Sequence, residues 1–214
     1  MLSGEAGAIA QAVPILLNSA LTPTAADLLS ASIVEDLQIG AGMGLIVRFQ
    51  SIPASVQEQT HHLTELGNQL GLAHSSFSNS DEADLWQRLR DQMTAAGWEG
   101  LITCKIGVRP SEAVRVLQQI EDLNVLGWLG QIHAASGLGR FVFDEAVPTE
   151  TLLKIRHQCQ SHGGFLSILQ APTSLKQKID IWGYPGNALE LMQKIKQQFD
   201  PHSQLSPHRF VGGI

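Results

Sequence analysis

An α+β fold, built on a ferredoxin-like antiparallel sheet with helices on one face, is what three features of this sequence predict. Residues 101–170 read strand, helix, strand, strand, helix, strand, the split βαβ order. Within that segment Ile102, Cys104, Ile106 and Val108 alternate with Thr103, Lys105 and Gly107, as a strand with one buried face requires. A hydrophobic share of 43% against 16% charged residues supplies a core for one domain or two small ones.

The elements follow in order. Ile9, Val13, Leu16 and Leu17 recur at helical spacing over residues 5–19, and the apolar run at 25–29 after Pro23 reads as a second short helix. Gly40, Gly42 and Gly44 lead into a strand over 45–51, which stops before Pro53, where the ring presets a turn into a helix carrying Val56, Leu63, Leu66 and Leu70. A short strand is expected within 72–77. Asp81 then opens a helix with Leu85, Trp86, Leu89, Met93 and Ala96 on one face and Gly97 as its stop. After the strand at 101–108, Ser111 is the expected cap of a helix over 111–124 that buries Val114, Leu117 and Ile120.

Strands at 127–135 and 140–144 flank Ser136, Gly137, Leu138 and Gly139, whose glycines permit a tight hairpin. A helix over 149–161 ends at Gly163 and Gly164, and 165–170 is the last strand. A partial copy of the whole pattern is read at 45–77, although no residue-level repeat accompanies it. Beyond Pro172, Trp182 and Pro185, a helix carrying Ala188, Leu191, Met192, Ile195 and Phe199 ends at Asp200-Pro201. The organisation expected is connecting helices over 1–40, an α+β domain over 41–171, and a terminal helix with an irregular tail over 172–214.

Composition excludes several functions. A formal charge of −6 with few Lys or Arg clusters speaks against a nucleic-acid footprint and against attraction to an anionic membrane. Cys104 and Cys159 form no CxxC or Cys/His knuckle, so both are expected as reduced core thiols rather than a disulfide or zinc ligands. The first residues lack the basic, uninterrupted apolar pattern of a signal peptide, and no apolar run reaches the roughly 20 residues of a membrane span. The cytoplasm is the expected location, with membrane association only through partner subunits.

Strand alternation places Thr103 and Lys105 on one face and Gln131 and His133 on one face of another strand. If these faces coincide they form a polar wall; a solvated sheet face would explain the same pattern. His133 is either an ordinary strand histidine or a substrate-side group, with Arg140 as a carboxylate binder. One histidine is not a metal site, and none is expected. The glycines at 40–44 precede a strand and open no helix, so they are not a dinucleotide loop. No nucleophile elbow, Walker loop or His-Glu-x-x-His helix occurs.

The C-terminus carries a resemblance. A helix with Lys194 and Lys196 runs into Asp200-Pro201, a short loop and Ser206-Pro207-His208-Arg209. This resembles the ending of FAD-linked oxidases of the vanillyl-alcohol oxidase and p-cresol methylhydroxylase superfamily, where the last four residues are Asn-Pro-Gly-Arg. The tail Phe210-Val211-Gly212-Gly213-Ile214, together with Ala171-Pro172, Leu175-Lys176, Ile179-Asp180 and Trp182-Gly183, is similar to the glycolate oxidase E subunit. The opening at 17–25 resembles that family's entry into its cap domain.

The resemblance implies the cap, or substrate, domain of a flavoprotein oxidoreductase acting on a small 2-hydroxy acid such as glycolate. It implies an upstream FAD-binding domain and other oxidase subunits as partners. FAD would belong to the intact enzyme, and this chain alone would bind none and be inactive. Arg209 carries over to the cofactor side, and Ser206 stands where the family has Asn. His133 and Gly137 match part of the metal-binding His-x-Gly-Asp-Gly-Asn-x-His of some relatives, but Ser136 and Arg140 replace the acid and the second His. The alternative reading is a ligand-binding or structural module of an oxidase complex, without catalysis of its own.

Overall fold

The computed structural model describes residues 1–94, 100–184 and 186–214. Ala96 and Gly97, expected to end a helix, and Pro185 lie outside them. The chain has an α+β fold in which all strands join one eight-stranded antiparallel sheet. The first half contributes β1 (Leu2–Gly4), α1 (Ala6–Leu17), β2 (Ala25–Leu29), α2 (Ala31–Asp36), β3 (Met43–Arg48), α3 (Pro53–Gln69) and β4 (Ala73–His74). A connecting helix α4 (Asn79–Thr94) follows. The second half contributes β5 (Ile102–Gly107), α5 (Ala113–Glu121), β6 (Leu129–His133), β7 (Leu138–Phe143), α6 (Thr149–Ser161) and β8 (Phe165–Gln170). Short α7 (Thr173–Lys176) and α8 (Leu189–Phe199) complete the chain.

The strand order is β4-β1-β3-β2-β6-β7-β5-β8. Read outward from the centre, both halves run second, third, first and fourth strand, so each is a complete ferredoxin-like unit. The expected partial copy is therefore a full one, starting at β1, with α2 inserted between its second and third strands. Three elements depart from the sequence reading in the first 40 residues: β1 and α2 were not foreseen, and 25–29 is a strand rather than a helix. Ala26 and Leu28 enter one core and Leu29 the other. A strand covered on both faces loses the polar alternation that would distinguish it from a short helix.

Helices cover both faces, not one. The larger core lies under α1, α3, α5 and α6 and takes Leu2, Leu28, Leu45, Ile106, Ile132 and Phe141 from the sheet. On the opposite face α2 and α4 bring Ile33, Val34, Leu85, Leu89 and Met93 onto Leu29, Ile46 and Val142. In the larger core Trp128 meets Phe141 edge-on at 5.7 Å between ring centroids and stacks on Phe143 at 6.4 Å, arrangements that suit the quadrupoles of the rings. Both cysteines are free and buried in it, and burial pushes each thiol up to about 12. Ser111 does not cap α5; it lies in a 3-10 turn, Pro110–Glu112, and makes no side-chain bond to the helix.

The end of the chain folds back on its own domain. Leu191, Ile195 and Phe199 of α8 point outward, 59%, 51% and 81% exposed, rather than into the core. At the end of α8 the buried Asp200 carboxylate accepts from Lys196 Nζ and from the backbone N–H of Gln204 and Leu205 at 2.8 and 2.9 Å. These donors hold its carboxyl down to about 2. The tail packs on this chain: Phe210 lies edge-on against Trp182 with centroids 5.1 Å apart, and Val211 is buried. Phe210→Ala should cost about 1 kcal/mol, the order of an aromatic pair with partial burial. Urea unfolding followed by circular dichroism measures it; an unchanged midpoint would show that the tail is not docked in solution.

Candidate functional site

The polar residues predicted on separate strands do share one face. Cross-strand register sets Lys105 opposite Arg140, Arg140 opposite Gln131, and Gln131 opposite Leu29, while His133 lies opposite Asp27 one step along the strands. In a pleated sheet such partners stand about 5 Å apart with side chains on a common side. This face is the one that α4 partly covers.

Between α4 and the sheet lies a cleft of about 320 Å³, lined by Trp86, Leu89, Arg90, Met93, Thr94, Gln131 and Arg140. The half-buried Arg140 donates through Nη1 to the Met93 carbonyl at 3.0 Å, which places a cation at the last turn of α4, where the helix dipole is negative. Arg90 bonds Gln87 Oε1 at 2.8 Å and brings a second guanidinium to the same cleft. Gln131 donates from Nε2 to Asp27 Oδ2 at 3.2 Å. Its amide oxygen remains available as an acceptor.

Asp27 is buried, 9% exposed, and burial raises its carboxyl above the ordinary 3.8 despite the Gln131 hydrogen bond and the neighbouring His133. His133 itself is exposed. The Ser136 backbone N–H donates to its Nδ1 at 3.2 Å and Ser136 Oγ stands 2.9 Å from the same nitrogen. With Nδ1 serving as acceptor, Nε2 carries the ring hydrogen. The turn that makes this contact depends on Gly137, whose φ is +69° and where a Cβ would lie 2.0 Å from the Val108 carbonyl oxygen.

Of the predicted residues, then, Gln131 and Arg140 line the cleft, His133 lies on the neighbouring row, and Lys105 stands exposed beside Arg140. Arg209 and Ser206 sit on the exposed tail and do not line the cleft. Neither Asp27 nor Arg90 was singled out. Asp27 sat within an apolar run read as a helix, where a carboxylate between Ala26 and Leu28 was the only signal. Arg90 belongs to a helix whose polar positions looked solvated.

Among the described residues no three His, Cys, Asp or Glu side chains converge to hold a metal ion, and no helix is long and apolar enough to cross a membrane. No glycine-rich turn among them opens a helix that could take a pyrophosphate: the glycines at 40–44 lead into β3. Compared with known proteins, the chain matches no protein-family model and no curated protein.

The raised Asp27 carboxyl has a defined effect on stability. The folded state keeps that proton to higher pH than the unfolded chain does, so the contribution is complete below 3.8 and is lost as pH rises through the folded value. Asp27→Asn keeps an acceptor for Gln131 and removes the buried charge. It should raise the thermal midpoint at neutral pH and flatten the decline on the alkaline side of 3.8; a lower midpoint at neutral pH would show that the carboxylate is stabilised in place.

Proposed function

We propose that this chain is the substrate-side cap part of an FAD-dependent oxidoreductase for 2-hydroxy acids of the glycolate kind. It would work with an FAD-binding domain upstream in the parent protein and pass electrons on through other oxidase subunits. The observation that carries the reading is the pairing of Arg140 and Gln131 in one cleft. A guanidinium offers a carboxylate two parallel donors, and the free amide oxygen of Gln131 can accept from the adjoining 2-hydroxyl. Arg90 adds positive charge, while Trp86, Leu89 and Met93 exclude water from the rest of the wall. The terminal sequence from Lys194 to Arg209 supports the same family.

A flavin bound in the parent protein would supply the hydride acceptor for oxidation at the hydroxyl carbon. The work left to this chain is binding and orientation, with Arg140 fixing the carboxylate and Gln131 the hydroxyl. Arg209, with Ser206 beside it on the tail, would meet the flavin domain from outside. A ligand-binding or structural module without catalysis is the second reading. It is favoured by the Arg140 bond to Met93, which gives that guanidinium a structural task as well.

The isolated chain should be colourless and turn over no glycolate; a stoichiometric flavin spectrum from it would overturn the assignment of FAD to another domain. In the complete protein, Arg140→Ala should raise KM for glycolate roughly 10- to 100-fold with a smaller change in kcat, the loss expected for one charge-assisted contact. Circular dichroism would check that the fold survives. An unchanged KM removes Arg140 from the substrate site. Hydroxy-acid binding by the complete protein without bound or reducible flavin would establish the second reading instead.

A further inference from the structure

The first half of the sheet contains a gap that the second half does not. β3 extends to Arg48 and pairs with β2 to that point, yet β1 pairs with it only from Met43 to Leu45. Beyond Met1 lies a cavity of about 450 Å³. Ile46, Val47, Arg48 and Phe49 form one wall and residues 75–79 the other, with Val56, Thr60 and Leu63 of α3 above and Glu82, Leu85 and Trp86 of α4 below. One wall is β3 with the residue that follows it, and the other is the segment that continues from β4 into α4, so the cavity prolongs the line of β1 between its two neighbours. The ladder leads directly into it, since Met1 and Ser75 exchange both backbone hydrogen bonds at 2.7 and 3.0 Å.

The second half displays what fills the corresponding place. β5 has six residues where β1 has three, and it lies between β7 and β8 as β1 lies between β3 and β4. Leu2 and Ile106 occupy matching positions, both buried in the larger core and each opposite the third-strand residue that pairs with the central seam. Met1 then corresponds to Lys105, and Ile102, Thr103 and Cys104 have no counterpart in the first half. Ile102 and Cys104 enter the larger core while Thr103 faces the other way.

We infer that the cavity between β3 and residues 75–79 is a slot for an extended polypeptide segment of about three residues at the ~3.3 Å rise of a strand, continuing β1 backwards from Met1 and antiparallel to β3. Its sequence is apolar, polar, apolar, with the outer two side chains under α3 and the middle one toward Arg48, Glu82 and Trp86. The source is the same polypeptide, immediately upstream of Met1. A separate peptide running antiparallel to β3 would drive its C-terminal end into the Met1 backbone, whereas a continuous chain passes into Met1 without a break. The slot thereby fixes how an upstream domain joins this one, whatever that domain binds.

Amide hydrogen exchange tests this on the native protein purified from its own cells, alongside the chain beginning at Met1. Residues preceding Met1 should be present in the intact mass of the native protein, and the Val47 and Phe49 amides should exchange at least about tenfold more slowly in it. In the short chain, a fused Ile-Thr-Cys extension should slow the same amides and raise the thermal midpoint, while a fused Gly-Ser-Gly of equal length should do less. A native chain that starts at Met1, or equal exchange in the two proteins, overturns the inference. Protection that appears only on adding a second protein would move the occupant to a partner and overturn its assignment to this polypeptide.

Discussion

Everything in this molecule depends on the pairing of β2 with β6. Leu28 and Ile132 face each other at its centre, both fully buried, with Asp27 opposite His133 and Leu29 opposite Gln131 on either side. The seam is secured beyond its strands: Ala134 N–H donates to the Ala26 carbonyl, Ser30 N–H to the Gly130 carbonyl, and Gly130 N–H returns to Ser30 Oγ. Without it the two halves would be separate four-stranded sheets, each with an unpaired, largely apolar inner edge of the kind that draws in foreign strands. Helices tie the same halves together, since Glu121 at the end of α5 accepts from the first N–H of α2, Ala31, at 2.8 Å.

The seam also decides where chemistry is possible. A twofold relation through the Leu28–Ile132 pair makes Asp27 and Gln131 equivalent positions, and their side chains hydrogen-bond across it. The same relation matches Leu29 to His133, so the two copies have diverged there: one keeps an apolar side chain under α2 and α4, and the other exposes an imidazole. The larger core tolerates no such divergence. Every seam residue pointing toward α1 and α5 is apolar or glycine, because an unpaired polar group would cost several kcal/mol on that side.

The second half was legible in the sequence because its strands have only one thoroughly apolar face. Alternation at 102–107 and the glycine turn before Arg140 specify strand, register and hairpin together. The first half hid from the same reasoning. Its β2 buries apolar side chains on both faces with Asp27 as its one charge, β1 and β4 are only three and two residues long, and α2 interrupts the order between β2 and β3. Strand parity put Gln131 and His133 on one face and Lys105 on the polar face of another strand, but only the cross-strand register joins them with Arg140. Asp27 could not be anticipated, because its place beside Gln131 arises from pairing across about a hundred residues, which periodicity does not encode.

The roof of the cleft comes from neither repeat. α4 connects β4 to β5, and in crossing the second face it buries Leu85, Leu89 and Met93 against the sheet while Trp86, Arg90 and Thr94 border the opening. Two bonds hold it at opposite ends: Arg48 to Glu82 at 2.6 Å near its start, and Arg140 to the Met93 carbonyl near its finish. Each anchor comes from the third strand of a different half, so the helix spans the seam and is positioned by both copies. The helix stripe that buries α4 is a core feature in the sequence, and its edges become a site only because duplication places Arg140 and Gln131 beneath them. A binding surface can thus be specified by the connection between two repeated units while neither unit contains it alone.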